Sequence, residues 1–110
     1  MRRQDIAIPV VYEDGVAASS IRQICAGLEE EAVPFRLHRL SNTAGQQLPE
    51  AVIAQMSALQ VGIGVERNGC LSLYHEKLGR QPYLQDSQQH ARRIGKNAAR
   101  LVKGLPLHIE

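Results

Sequence analysis

The chain has 110 residues, 44% of them hydrophobic, which is the size and composition of one domain around one core. Its formal net charge of +2 and pI near 8.7 fall short of the basic balance that would make the whole surface an electrostatic footprint for nucleic acid. With no Trp, one Phe and three Tyr, base-stacking platforms are scarce and the core must be built from Ile, Val, Leu and Ala.

Cys25 and Cys70 lie far apart, with no Cys-x-x-Cys and no clustered His, so they read as ordinary thiols of a reducing cytosol, not zinc ligands. The Met-Arg-Arg start is not followed by a long apolar run, and no stretch approaches the roughly 18–20 apolar residues that span a bilayer. The expectation is a soluble, cytoplasmic single domain over residues 1–110.

Residues 6–12 are short, apolar and β-branched, which suits a strand buried on both faces of a parallel or mixed sheet. Pro9 cannot donate to a ladder, so either a bulge sits there or the strand has no neighbour on that side. Glu13-Asp14-Gly15 makes a turn, and Ser19 or Ser20 is placed to cap a helix running to about Glu31. Within it Ile21, Ile24, Cys25 and Leu28 form one apolar stripe at about 100° per residue.

That helix ends on three successive carboxylates, Glu29, Glu30 and Glu31, just before Ala32-Val33-Pro34. A helix C-terminus carries partial negative charge, so acids there are mildly unfavourable and a cation is welcome. Either the run is a solvated face or it is a site. On the helical wheel Glu30 points away from the apolar stripe, with Glu29 and Glu31 on its flanks as candidate interface residues. Glu30 is thus the one placed to reach a second molecule or a metal held by it. Adjacent helix residues fan apart and cannot converge on one hard cation, which wants about six oxygen ligands.

After Pro34, residues 35–40 alternate apolar and basic and predict a second, less buried strand, in which His38 reads as a surface histidine. A polar loop from Ser41 leads to Pro49 and Glu50, which open a short helix with Val52, Ile53, Met56 and Leu59 on its core stripe. Residues 61–66 predict a third strand, and Asn68-Gly69 predicts a type I′ hairpin turn with residues 70–74 returning antiparallel. Gly62-x-Gly64 does not extend to a dinucleotide fingerprint, because Arg67 stands where a glycine is needed and a hairpin follows where a helix is required. The glycines predict a close approach of another backbone or of a partner.

Residues 79–85 allow a short edge strand. Asp86, with Gln89 in capping-box relation, predicts the start of a last helix whose apolar face is Ala91, Ile94, Ala98, Leu101 and Val102. Gly104 and Pro106 end it. Arg92, Arg93, Lys96, Arg100 and Lys103 form its basic face, which has three readings: a phosphate-binding stripe, a surface docked on an acidic protein, or a solvated face.

This alternation predicts a small α/β layered domain with a mixed sheet covered by helices on both faces. No nucleophile, acid–base pair or phosphate loop emerges, so the residues favour a binding subunit over an enzyme.

The stretch from Leu28 to Leu37 and the stretch from Gly95 to Pro106 resemble the two signature segments of the small subunit of diol/glycerol dehydratase-reactivating factors, and Gln85-Asp86-Ser87-Gln88 is similar as well. The resemblance implies a three-layer α/β/α fold of the anticodon-binding-domain-like kind, with a mixed, five-stranded sheet whose antiparallel strand is the Cys70 return. It implies a non-catalytic, chaperone-like subunit paired with a large ATPase subunit, two copies of each. That complex releases damaged cobalamin from inactivated adenosylcobalamin-dependent dehydratase, with displacement or exchange of a subunit against the dehydratase large subunit. The chain would hold no cofactor of its own, ATP or ADP would sit on the large subunit, and Glu30 would lend a ligand to a magnesium ion shared at the interface. The resemblance leaves open glycerol against propane-1,2-diol, association with a microcompartment, and self-association of the isolated chain. Two departures stand out: Ala32 replaces the glycine of many relatives, and the tail at His108-Ile109-Glu110 is short. The alternatives are a basic nucleic-acid-binding module using the Arg92 to Lys103 face, and a structural protein like the dehydratase medium subunit, usually a longer chain.

Overall fold

The first strand, β1 (Ile8–Glu13), is buried along its apolar length because it lies inside the sheet with neighbours on both sides. A computed structural model describes residues 6–40, 53–54, 57–78 and 81–107. Its further elements are α1 (Ala18–Glu30), β2 (Phe35–Leu40), β3 (Val61–Val65), β4 (Cys70–His75), β5 (Leu84–Ser87) and α2 (Ala91–Lys103). The five strands form one sheet in the order β2-β1-β3-β4-β5. β1 is parallel to β2 and β3, while β4 is antiparallel to both β3 and β5, so β4 alone runs against the other four. The mixed five-stranded sheet with its antiparallel Cys70 return is therefore as the family resemblance implied.

Pro9 needs no bulge. The register of β1 on β2 is continuous from Ile8↔Phe35 to Glu13↔Leu40, and Ile8 N donates to Pro34 O on the β2 side. By alternation the donor that Pro9 lacks faces β3, where pairing begins only at Val10↔Ile63.

Connection handedness explains the layers. β2 lies on one side of β1 and β3 on the other, so two right-handed crossovers must pass over opposite faces. α1 covers the first face, and α2, entering from β5, packs beside it on Ile8, Val10, Ile63, Val65, Leu71 and Leu73. On the second face Ile53 and Ala54, from the β2–β3 crossover, bury Val11 and Tyr74. The expected helix over residues 49–59 lies largely outside the described residues; Ser57 to Gln60 form a turn in which Gln60 N donates to Ser57 O at 3.0 Å.

Three local expectations are corrected. α1 starts earlier than the serines suggest: Ala17, in extended conformation, is the N-cap, no side chain caps the end, and Ser20 is buried within the first turn. The β3–β4 connection is a three-residue loop, not a type I′ turn, because Glu66 N bonds Cys70 O and only Gly69 takes a positive φ, of 95°. Asn68 serves instead through its side chain, whose Oδ1 accepts from Cys70 N at 2.9 Å. Finally, Asp86 belongs to β5, and a 3₁₀ turn over Gln88–His90 separates it from α2. Its carboxylate accepts from Ser87 N and from two nitrogens of Arg93 at 2.9 and 3.1 Å, so it steers α2 from outside the helix.

Candidate functional site: the acidic corner

α1 ends in a Schellman closure. Ala32 N donates to Glu29 O and Val33 N to Leu28 O, while Val33 packs beside Leu28 in the core. The closure requires a left-handed residue at position 32, and Ala32 sits there at φ 57°. At the end of α2 the same pair of bonds, Gly104 N to Leu101 O and Leu105 N to Arg100 O, closes around Gly104 at φ 75°. One helix thus meets the requirement with glycine and the other strains an alanine. Ala32→Gly is expected to raise stability by about 1 kcal/mol, or about 4 °C in midpoint, measured by thermal unfolding.

The two helices touch through glycines. A Cβ at Gly27 would lie 2.2 Å from Arg92 O, and one at Gly95 would lie 2.2 Å from Ile24 O, so the two backbones are in contact at their crossing. This brings the basic face of α2 onto the acidic end of α1. Glu30 pairs with Arg92, and with Lys96 at 3.6 Å. Glu31 pairs with Arg100 and Lys103, both at 3.5 Å, and Lys103 Nζ also donates to Glu31 O. The latter contact puts a cation on one of the carbonyls that α1 leaves exposed at its C-terminus, where helix α1 has no basic residue of its own.

The helical wheel is therefore corrected. It placed Glu30 directly away from the apolar stripe of α1, whereas α2 runs alongside and takes the carboxylate. Glu30 remains the more open of the two acids, its side chain 37% exposed against 14% for Glu31. Glu29 is exposed and forms no ion pair among the described residues. The corner thus ranks its carboxylates: Glu31 ties the helices together, Glu30 straddles the rim, and Glu29 faces outward.

The basic face of α2 is likewise not the free stripe that a nucleic-acid reading supposes. Four of its cations meet Glu30 and Glu31, and the fifth, Arg93, meets Asp86 at 2.9 Å. Of the three readings, the acidic protein surface that it docks on is the chain's own. The spacing of Arg92, Lys96 and Arg100 at every fourth residue, facing three consecutive glutamates elsewhere, was the signal available for this.

Among the described residues no three His, Cys, Asp or Glu side chains are grouped to hold a metal ion. No helix is long and apolar enough to cross a membrane among them either. Cys25, half-buried on α1, has its thiol pushed up by burial and by the Glu29 carboxylate; at Cys70 burial and Glu66 act the same way.

A family model for the dehydratase medium subunit matches residues 7–108, nearly the whole chain, and sets the class of domain. The diol dehydratase-reactivating factor small subunit of Klebsiella michiganensis is 41% identical over 91 residues, covering 77% of this chain and 70% of its own. The propanediol dehydratase-reactivating factor small subunit of Salmonella typhimurium is 38% identical, covering 92% of this chain and 87% of its own. Among solved structures, a glycerol dehydratase reactivase chain superposes with a TM-score of 0.77 at 32% identity, covering 94% of this chain and 96% of that one. A chain of diol dehydratase-reactivating factor complexed with ADP and Mg2+ superposes with a TM-score of 0.75 at 35% identity, covering 94% and 97%. The chain belongs to the family of small subunits of diol/glycerol dehydratase-reactivating factors.

Proposed function

We propose that the chain is the non-catalytic small subunit of a cytoplasmic, chaperone-like reactivating factor. It joins a large ATPase subunit, two copies of each, and the complex releases damaged cobalamin from an inactivated adenosylcobalamin-dependent diol or glycerol dehydratase by displacing or exchanging a subunit. The relatives' names carry the reactivating role, and the solved complex with ADP and Mg2+ favours nucleotide and metal on the partner.

Within this reading Glu30 lends one carboxylate oxygen to a divalent ion held mainly by the large subunit. The residues fit that limited part and no larger one. A magnesium ion needs about six oxygens, and the corner offers one rim carboxylate flanked by cations. The observation that carries the assignment to Glu30 is its place at the rim: half-exposed, yet held in a fixed direction by Arg92 and Lys96. Glu31 is committed to the helix pair, and among the described residues Glu29 has no ion pair to orient it.

The test is co-purification of tagged chain with the large subunit in magnesium and ADP. Glu30→Ala is expected to weaken association at least tenfold, and removing magnesium with a chelator should erase the difference between variant and wild type. Association indifferent to the substitution would return Glu30 to the helix pair alone, and no association of the wild type would overturn the subunit role.

A further inference from the structure

Toward the other end of α1 from the acidic corner, an open cleft of about 310 Å³ lies at the carboxyl ends of β1 and β2, lined among others by Tyr12, Asp14, Val16, Ile21, Arg22 and Arg39. Open α/β sheets collect ligands at the carboxyl ends of their parallel strands, where the loops leave a crevice. The volume is at the small end of ligand pockets.

Among the described residues its charge is unbalanced. Arg22 comes from α1 and Arg39 from the end of β2, so the fold brings two guanidiniums from separate elements to one cleft. Both are exposed, and neither forms an ion pair or hydrogen bond among the described residues. The contrast with α2 is sharp, since each of that helix's cations has a carboxylate. Among the described residues that line it, Asp14 is the one acid set against the two guanidiniums, and the first turn of α1 adds none.

The cleft is also braced. Its loop turns at Gly15, φ 98°, and is tied to the distant β3–β4 hairpin by Arg67, whose backbone N donates to Glu13 Oε1 at 2.7 Å and whose Nε donates to Asp14 O at 2.9 Å. A guanidinium presents a planar fork that matches an oxyanion in two-point contact, and two forks facing one space suit a compact group with several oxygens.

We propose that this cleft binds a small oxyanion, a phosphoryl or carboxylate group, between Arg22 and Arg39. The inference does not rest on the subunit role, and its failure would leave that role untouched. The test is a titration of the full chain, followed by its backbone amide spectrum, with inorganic phosphate and separately with succinate, at ionic strength held constant with sodium chloride. Saturating shifts at Gly15, Val16 and Ala18, with half-saturation in the millimolar range, are expected for at least one probe; which probe saturates distinguishes phosphoryl from carboxylate. Arg22→Gln and Arg39→Gln should each raise the half-saturation concentration at least tenfold. Arg22→Lys, which keeps charge but loses the fork, should fall between, and Arg36→Gln, outside the cleft, should change nothing. Unshifted thermal midpoints will show that the variants remain folded. Shifts that never saturate with either probe, or that survive the Arg22→Gln/Arg39→Gln double variant, overturn the proposal.

Discussion

Replacing Gly95 by alanine is expected to destabilise the chain by about 3 kcal/mol, although alanine is intrinsically the better helix residue by about 1 kcal/mol. The opposition of signs makes the experiment decisive. Gly95 lies inside α2 and takes no positive φ, so propensity alone predicts a gain. The added methyl would instead stand 2.2 Å from Ile24 O, 3.1 Å from Ile24 C and 3.2 Å from Leu28 N, all backbone atoms of α1 that no rotamer change can move. The helices must separate, and Ile24, Leu28, Ile94 and Ala98 lose part of their shared packing. Gly104→Ala is the matched control: its methyl meets nothing within 4 Å, so its cost is the left-handed φ alone, about 1 kcal/mol. Denaturant midpoints for the two variants should rank in that order, and a Gly95→Ala chain more stable than wild type would show that the helices do not cross at this distance.

The same crossing explains why the acidic corner was only half legible. Periodicity found Ile21, Ile24, Cys25 and Leu28 on one helix and Ala91, Ile94, Ala98, Leu101 and Val102 on another, and both stripes face the core, with Cys25, Leu101 and Val102 half-buried at their edges. A one-dimensional pattern does not say that the two helices are neighbours. Gly27 and Gly95, which interrupt otherwise good helical sequence at a cost, were the clue that two backbones meet there. Once they meet, three acids unwelcome at a helix C-terminus and a basic helix face become one feature. Each supplies what the other lacks, and the cations of α2 answer the end charge of α1.

Strands were read more securely than caps. Residues 35–40, by their alternation of apolar and basic side chains, and residues 61–66, by their β-branched content, predict strands and are found as β2 and β3, the latter ending one residue early at Val65. The start of α2 was misread because Asp86 and Gln89 satisfy a capping pattern that is local, whereas Asp86 is already engaged in the β4 ladder through Leu71 and in a two-point contact with Arg93. Tertiary pairing overrode a correct local signal. The cleft at Arg22 and Arg39 was illegible for the opposite reason: no motif marks it, and the two arginines, seventeen positions apart by their numbers, converge only because β1 and β2 are parallel neighbours.

The second large effect belongs to the other face of the sheet, at Gly62. Gly62→Ala is expected to cost about 2 kcal/mol, because its methyl would meet Ile53 at three atoms, Cγ2 at 2.5 Å, O at 3.0 Å and C at 3.1 Å. The sequence left open whether this glycine admits a partner or another stretch of backbone, and the chain's own crossover is what it admits. Ile53 is fully buried there with Val11 and Tyr74, so Ile53→Ala alone should also be destabilising, by about 3 kcal/mol, through the cavity it leaves. The pair separates the two contributions to the clash. If the side chain of Ile53 is the main obstacle, the double variant should be at least 1 kcal/mol more stable than the sum of the single losses, since each substitution makes room for the other. Strict additivity would place the clash on the Ile53 carbonyl, which alanine retains. In either case urea titration of the four chains measures how tightly the β2–β3 crossover is seated. A Gly62→Ala chain as stable as wild type would mean that the crossover does not sit on the sheet as described.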